Sequence, residues 1–143
     1  MRIAMIGTGY VGLVSGACLS EFGHSVTCVD TNRERIDGLH KGQMPIYEPG
    51  LDALVERNVR AGRLRFTTEL APPVSEAEAV FIAVGTPSRR GDGDADLSYV
   101  HEAARQIARA LGGYAVVVTK STVPVGTGRQ VRLLSFPDYA TPI

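Results

Sequence analysis

Residues 7–12 read Gly-Thr-Gly-Tyr-Val-Gly, a G-x-G-x-x-G hexapeptide whose neighbours on both sides decide the fold of this chain. The apolar run Arg2 to Gly7 leads into it and predicts a buried strand that ends in glycine. After it, the apolar residues Val11, Val14, Cys18 and Phe22 recur at three- and four-residue steps, which predicts a helix. The hexapeptide is therefore predicted to form a strand-to-helix turn.

The rest of the chain repeats this alternation of strand and helix. Five strands with helices between them predict a parallel sheet covered on both faces, in the spatial order 3-2-1-4-5 of a Rossmann-like, doubly wound α/β fold. A sixth strand would complete that fold, and the sequence shows none. The later strands are predicted at Ser25 to Asp30, Leu64 to Thr67, Ala79 to Val84 and Ala115 to Thr119. The later helices are predicted from Thr31 or Asn32 to His40, from Leu51 to Val59, from Leu97 (capped by Asp96) to Leu111, and from a Thr127/Gln130 capping box to Leu134.

Composition narrows the function classes. The 143 residues suit one domain, and 15 basic residues balance 15 acidic ones, so net charge gives no reason to expect nucleic acid as a partner. The uncharged stretch from Ile3 to Ser20 contains four glycines and is too polar to span a membrane, so we expect a cytoplasmic protein. Cys18 and Cys28 match no metal-ligand spacing, and we expect core thiols and no metal site.

The chemistry of the hexapeptide points to a dinucleotide. Its glycines permit a tight turn and a close backbone approach to a pyrophosphate, and the following helix offers unpaired N–H groups and a positive dipole end. Asp30, at the end of the second predicted strand, lies 18 residues beyond Gly12, near the spacing expected for this motif. Its carboxylate would accept hydrogen bonds from ribose hydroxyls and repel a 2′-phosphate. NAD is therefore predicted in preference to NADP.

Three hydroxyls are predicted to follow the carboxyl ends of the fourth and fifth strands, where ligands of parallel sheets bind. They belong to Thr86, Ser121 and Thr122. Each would face a cofactor or substrate, or else bond only within its own turn, as Ser and Thr near prolines often do. Position alone leaves both interpretations open.

Four segments together resemble the N-terminal part of the UDP-glucose/GDP-mannose dehydrogenase family. They are residues 7–12, 45–51 (Pro-Ile-Tyr-Glu-Pro-Gly-Leu), 84–87 (Val-Gly-Thr-Pro) and 120–126 (Lys-Ser-Thr-Val-Pro-Val-Gly). The resemblance covers residues 1–134, which we take as an incomplete NAD-binding domain, and leaves residues 135–143 as a tail outside it. The resemblance implies NAD contacts by Val11, Asp30, Arg35, Thr86 and Thr122, a supporting catalytic role for Thr122, and an architectural role for Tyr47 and Glu48.

The resemblance also implies an activity for a longer protein. The family oxidises a sugar nucleotide to the carboxylate with two NAD, so UDP-glucose is the expected substrate of a full-length homo-oligomeric enzyme, and GDP-mannose is the alternative. The family's nucleophilic cysteine, lysine, asparagine and aspartate lie in later parts of its chains, so this chain alone is expected to be inactive. A non-catalytic dinucleotide-binding module is the alternative from another class. The candidate cofactor-binding residues are Gly7, Gly9, Tyr10, Val11, Gly12, Asp30, Arg35, Thr86, Ser121 and Thr122.

Overall fold

Five parallel strands form the central sheet of the protein. The computed structural model describes residues 1–89, 91 and 93–135, so the predicted tail lies outside the described residues except for Ser135. The strands are β1 (Arg2–Ile6), β2 (Ser25–Val29), β3 (Leu64–Thr67), β4 (Ala79–Ile82) and β5 (Val116–Thr119). They pair in the order β3-β2-β1-β4-β5, and every pair is parallel. The predicted doubly wound α/β fold and its strand order are confirmed.

Within the described residues, six helices cover the two faces of this sheet. They are α1 (Tyr10–Glu21), α2 (Arg33–His40), α3 (Leu51–Arg60), α4 (Ala71–Glu76), α5 (Ser98–Ala110) and α6 (Thr127–Ser135). Alternate side chains of a strand point to opposite faces. Accordingly, Ile3 and Met5 pack with α1, α2 and α3, whereas Ala4 and Ile6 pack with α4, α5 and α6. Among the described residues, no helix is both long enough and apolar enough to cross a membrane.

The buried face of helix α1 consists mostly of small residues. Val11 and Phe22 are 44% and 77% exposed, and the helix instead buries Gly12, Leu13, Gly16, Ala17 and Ser20. Small residues let the helix backbone approach the sheet closely. A Cβ added at Gly16 would lie 2.6 Å from Cys28 Sγ. The predicted helix is confirmed, and of the apolar residues that predicted it, Val14 packs against the core.

Three helix starts differ from or refine the predictions. Thr127 is the first residue of α6, and its buried hydroxyl donates to the Pro124 carbonyl at 2.8 Å instead of accepting a backbone N–H, so the predicted capping box was wrong. Asn32 caps α2 by accepting the Arg35 N–H at 3.0 Å, which decides between the two predicted caps. Helix α5 has Leu97 as its N-cap residue, and the predicted cap Asp96 lies one residue earlier, where its Oδ1 accepts the N–H of Ser98 at 3.0 Å.

Helix α4 was not predicted from the sequence. This helix has six residues, and Pro72 and Pro73 lie in its first turn. Proline is tolerated there because the first N–H groups of a helix have no intrahelical partner. Six residues are too few to show a helical period, and two prolines suggest a loop. Packing supplies the stabilisation instead, since Val74 is fully buried against the sheet.

Candidate functional site

A cavity of about 660 Å³ opens at the carboxyl ends of β1, β2 and β4. In the order β3-β2-β1-β4-β5 the winding direction reverses between β1 and β4, which is where open parallel sheets bind ligands. Its walls include Gly7, Gly9, Asp30 and Arg35 from the predicted site, joined by Val84, Gly85, Tyr99, Glu102 and Gln106. A second cavity of about 510 Å³ lies between α2 and α3 and includes no predicted site residue.

The glycines of the hexapeptide serve two different purposes. Gly7 has a φ of +107°, and a Cβ there would lie 2.6 Å from the Ala83 carbonyl oxygen. A Cβ at Gly12 would collide with the Gly7 carbonyl. The fold itself therefore needs glycine at both positions, because the turn after β1 must pack tightly against α1 and β4.

Gly9 is not needed by the fold in this way. Its φ is −69°, which any residue adopts, and an added Cβ would meet no atom within 4 Å apart from its chain neighbours. Gly85, across the cavity, is equally open. Both positions keep the cavity wall as bare backbone. A molecule that approaches the backbone closely would explain glycine at these two places, so the residues present fit a dinucleotide.

The N-terminus of α1 supplies the donors for an anion. The backbone ladder begins with the Leu13 N–H, which donates to the Gly9 carbonyl at 2.9 Å. The N–H groups of Tyr10, Val11 and Gly12 precede that bond and have no intrahelical partner. The first turn carries no acidic side chain to compete for the positive end of the dipole. These groups would hold the pyrophosphate of a dinucleotide.

Asp30 directly follows β2 at the rim of the cavity and is held by four hydrogen bonds. Its Oδ2 accepts the Thr8 hydroxyl at 2.6 Å, the Thr8 N–H at 2.9 Å and Arg35 Nη1 at 3.0 Å, and its Oδ1 accepts the Asn32 N–H at 2.9 Å. Burial alone would raise the pKa of Asp30, but these donors and the Arg35 charge hold that pKa below its usual value. Asp30 is therefore a carboxylate at neutral pH.

The three predicted hydroxyls lie at the carboxyl edge but outside the lining of this cavity. The Ser121 hydroxyl donates to the Val84 carbonyl at 2.7 Å, so its proton is used within the turn. Thr86 is half-buried, and Thr122 is exposed. Ser121 therefore bonds within its own turn, which was one of the two predicted alternatives, whereas the exposed Thr122 hydroxyl remains open to a ligand.

The loop before α3 contacts the start of α1 through one side-chain pair. The Tyr10 hydroxyl donates to Glu48 Oε2 at 2.7 Å. Hydrogen bonding to the Glu48 carboxylate and its negative charge raise the pKa of Tyr10. This contact fits the architectural role expected of Glu48. Tyr47, in contrast, is 91% exposed.

The two thiols lie in secondary structure away from the cavity. Cys28 is fully buried in β2, and burial raises the pKa of its thiol to about 12. Cys18 is half-buried in α1. Neither residue lines the cavity. Within the described part of the chain, no group of three or more His, Cys, Asp or Glu side chains could hold a metal ion.

Sequence reasoning missed two parts of the site. Tyr99, Glu102 and Gln106 of α5 line the cavity, although in the sequence they are indistinguishable from an ordinary solvent-facing stripe. Thr8 occupies the first variable position of the hexapeptide, where the motif specifies no residue type. The sequence offered one sign of a role for Thr8, namely that a side chain with a hydroxyl lies between two glycines.

The sheet order, the glycine turn and the carboxylate at the end of β2 define a Rossmann-type dinucleotide-binding domain. A family model described as "UDP-glucose/GDP-mannose dehydrogenase family, NAD binding domain" matches residues 1–137. The chain belongs to this family, and its residues 1–137 match the family's NAD-binding domain.

Several known proteins are similar to this chain over most of its length. A UDP-glucose 6-dehydrogenase of Rhizobium meliloti is 65% identical over 131 residues, which is 92% of this chain and 30% of that protein. The UDP-glucose 6-dehydrogenase YwqF of Bacillus subtilis is 48% identical over all 143 residues, 32% of its own length. A GDP-mannose dehydrogenase structure from Pseudomonas aeruginosa superimposes with a TM-score of 0.88 at 41% identity and covers 94% of this chain and 31% of that chain. The chain thus spans about a third of the length of these relatives.

Proposed function

We propose that this chain is the cofactor-binding part of an enzyme that oxidises UDP-glucose to UDP-glucuronate with two NAD. The 65% identity to a UDP-glucose 6-dehydrogenase supports this substrate. GDP-mannose is the alternative, favoured by the TM-score of 0.88 to a GDP-mannose dehydrogenase, against 0.84 to a UDP-glucose dehydrogenase of Pyrobaculum islandicum.

The bare backbone at Gly9 carries the cofactor part of the proposal. Gly9 lines the cavity together with Asp30 and directly precedes the N–H groups at the start of α1, and a side chain at this position would occupy open space there. The N–H groups bind the pyrophosphate, and Asp30 binds the ribose and repels a 2′-phosphate. When bound, NAD supplies the hydride acceptor. Thr122, whose hydroxyl is exposed at the carboxyl edge of the sheet, takes the supporting catalytic role that the family resemblance implies.

We propose further that the chain alone binds NAD without turnover. Oxidation to a carboxylate through a covalent intermediate needs an activated thiol near the reacting atoms. The sequence contains two cysteines, and one of them is a fully buried thiol with a pKa of about 12. A thiol of that kind is neutral and inaccessible at neutral pH.

A comparison of two glycine variants tests the cofactor site. In Gly9→Ala, the new methyl group fills the space reserved for NAD, and we expect the NAD affinity to fall about tenfold or more by titration calorimetry. The free energy of unfolding should fall by no more than about 1.5 kcal/mol, because alanine is a poorer N-cap than glycine, but the φ of −69° suits alanine and its Cβ meets no other atom. Gly113→Ala is the matched control, since its Cβ is equally free of contacts and lies outside the cavity. Unchanged NAD affinity in Gly9→Ala would overturn the proposed site.

A further inference from the structure

Thr8 connects the turn after β1 to the end of β2. It is fully buried, and both of its donors reach one atom, since its hydroxyl lies 2.6 Å and its N–H 2.9 Å from Asp30 Oδ2. The hydroxyl contact is the shortest of the four hydrogen bonds that Asp30 accepts. The backbone contact alone would hold the carboxylate with any residue at position 8, whereas the hydroxyl contact needs serine or threonine there.

The four hydrogen bonds are divided unequally between the two carboxylate oxygens. An ionised carboxylate offers about four acceptor positions, about two on each oxygen. Oδ2 accepts three donors, two from Thr8 and one from Arg35, whereas Oδ1 accepts only the Asn32 N–H. Oδ2 is therefore saturated, and Oδ1 keeps room for one more donor. Because three of the four donors are on Oδ2, Oδ1 is the oxygen that can accept a hydrogen bond from a ligand hydroxyl.

The other two partners of Asp30 hold it less firmly than Thr8 does. Arg35 bonds through a long side chain that is 36% exposed, so its guanidinium can move into solvent. The Asn32 N–H contact spans two residues and follows the local turn. Thr8, in contrast, is buried and β-branched, and such side chains are stiff at χ1. Of the three partners, Thr8 is the rigid one.

We propose that Thr8 is the positioning residue of the ribose site: by holding Oδ2 of Asp30, it orients the carboxylate so that Oδ1 receives a ribose hydroxyl of NAD. This inference rests on the proposed NAD binding. It also has a consequence for the chain without cofactor. Burial alone would raise the pKa of Asp30, and the Thr8 hydroxyl is the strongest of the contributions that lower it. Loss of this hydroxyl should therefore raise the pKa of Asp30.

Two substitutions at position 8 separate the hydroxyl from the shape of the side chain. Thr8→Val keeps the branched shape and the N–H but removes the hydroxyl, whereas Thr8→Ser keeps the hydroxyl and removes a methyl group. A hydrogen bond to a charged group corresponds to about a tenfold effect or more on an equilibrium. In Thr8→Val we expect a roughly tenfold weaker NAD affinity, a narrower preference for NAD over NADP, and a raised Asp30 pKa. Thr8→Ser should retain wild-type values for all three.

The measurements distinguish this inference from the proposed function. Calorimetry gives the NAD and NADP affinities, and NMR of the Asp30 carboxyl carbon gives its pKa in the chain without cofactor. Ser20→Ala controls for loss of a buried hydroxyl, because Ser20 donates to the Ala17 carbonyl at 2.7 Å and lies outside the cavity. Wild-type NAD affinity in Thr8→Val, or an unchanged Asp30 pKa, would overturn the role of Thr8. If the wild-type chain fails to bind NAD, the proposed function fails, and with it the positioning role.

Discussion

Arg35 Nη1 lies 3.0 Å from Asp30 Oδ2, so the carboxylate expected to bind the ribose is already paired with a cation. The Asp30 side chain is 11% exposed and that of Arg35 is 36% exposed, which places the pair at the rim of the cavity. If Asp30 were removed, the Arg35 guanidinium would lose this partner and would be free to bind a phosphate.

Asp30→Ala should therefore change the cofactor preference in two ways. NAD affinity should fall roughly tenfold or more, since hydrogen bonds to a charged acceptor are worth about 1.5–3 kcal/mol. NADP should weaken less or gain affinity, because the released Arg35 can bind the 2′-phosphate. Calorimetry with both cofactors measures the change, and adding Arg35→Ala should remove any gain for NADP. Equal affinities of the wild-type chain for NAD and NADP would contradict the assigned role of Asp30.

The stability of the chain should depend on the ionisation of Asp30. The folded state holds the pKa of Asp30 below its usual value, so the ionised carboxylate stabilises the folded state at neutral pH. That stabilisation is fully present above the unfolded-state pKa of about 3.9 and is lost as the pH falls through the lower folded-state value. Urea unfolding of wild type and Asp30→Asn should show a difference in free energy of unfolding that shrinks on acidification from pH 7 to pH 3. A constant difference across that range would argue against this assignment.

Gly16→Ala should destabilise the fold through one identifiable contact. The new Cβ would lie 2.6 Å from Cys28 Sγ in a tightly packed interface between α1 and β2, and overpacking of a core typically costs about 1–3 kcal/mol. Cys28→Ala removes the sulfur, so the double variant should recover part of that loss. Denaturant unfolding of the two single variants and the double variant measures the coupling. If the two single-variant changes in the free energy of unfolding simply add in the double variant, the new methyl group does not clash with Cys28.

The purified chain should not oxidise UDP-glucose. NADH absorbance with NAD and UDP-glucose should stay at the background rate, because the sequence contains only Cys18 and Cys28 as thiols and neither lines the cavity. The Cys18→Ser, Cys28→Ser double variant is the control. Steady turnover by the wild-type chain that disappears in the double variant would identify one of these residues as a nucleophile.

The outer edge of β5 should make the chain self-associate. Within the described residues β5 pairs only with β4, and the segment from Leu111 to Thr119 carries no charge that would discourage edge pairing. Val116 is 49% exposed on this strand. Light scattering should detect species larger than a monomer, and Val116→Lys should reduce them. A clean wild-type monomer with a sharp thermal transition well above about 65 °C would contradict this prediction.

Local sequence patterns were sufficient to predict most of the fold and the chemical class of the ligand. The run from Arg2 to Gly7, the hexapeptide and Asp30 lie within 30 residues, and their order predicts a strand, a turn, a helix and a ribose acceptor. With right-handed crossovers the order expected for a sheet that opens on this motif is 3-2-1-4-5, which the structure confirms. Periodicity also located five of the six helices within about two residues of their observed ends.

Tertiary structure alone decided the contacts between segments that are distant in the chain. The buried face of α1 depends on which side chains leave room for β2, and Cys28 makes glycine necessary at position 16. Helix α4 exists because Val74 packs against the sheet, although its sequence shows neither a period nor a helical start. Thr8 and Asp30 are 22 residues apart, and the parallel pairing of β1 with β2 brings them within hydrogen-bond distance. Sequence spacing carries the chemistry of each residue, whereas three-dimensional packing determines which of these residues meet.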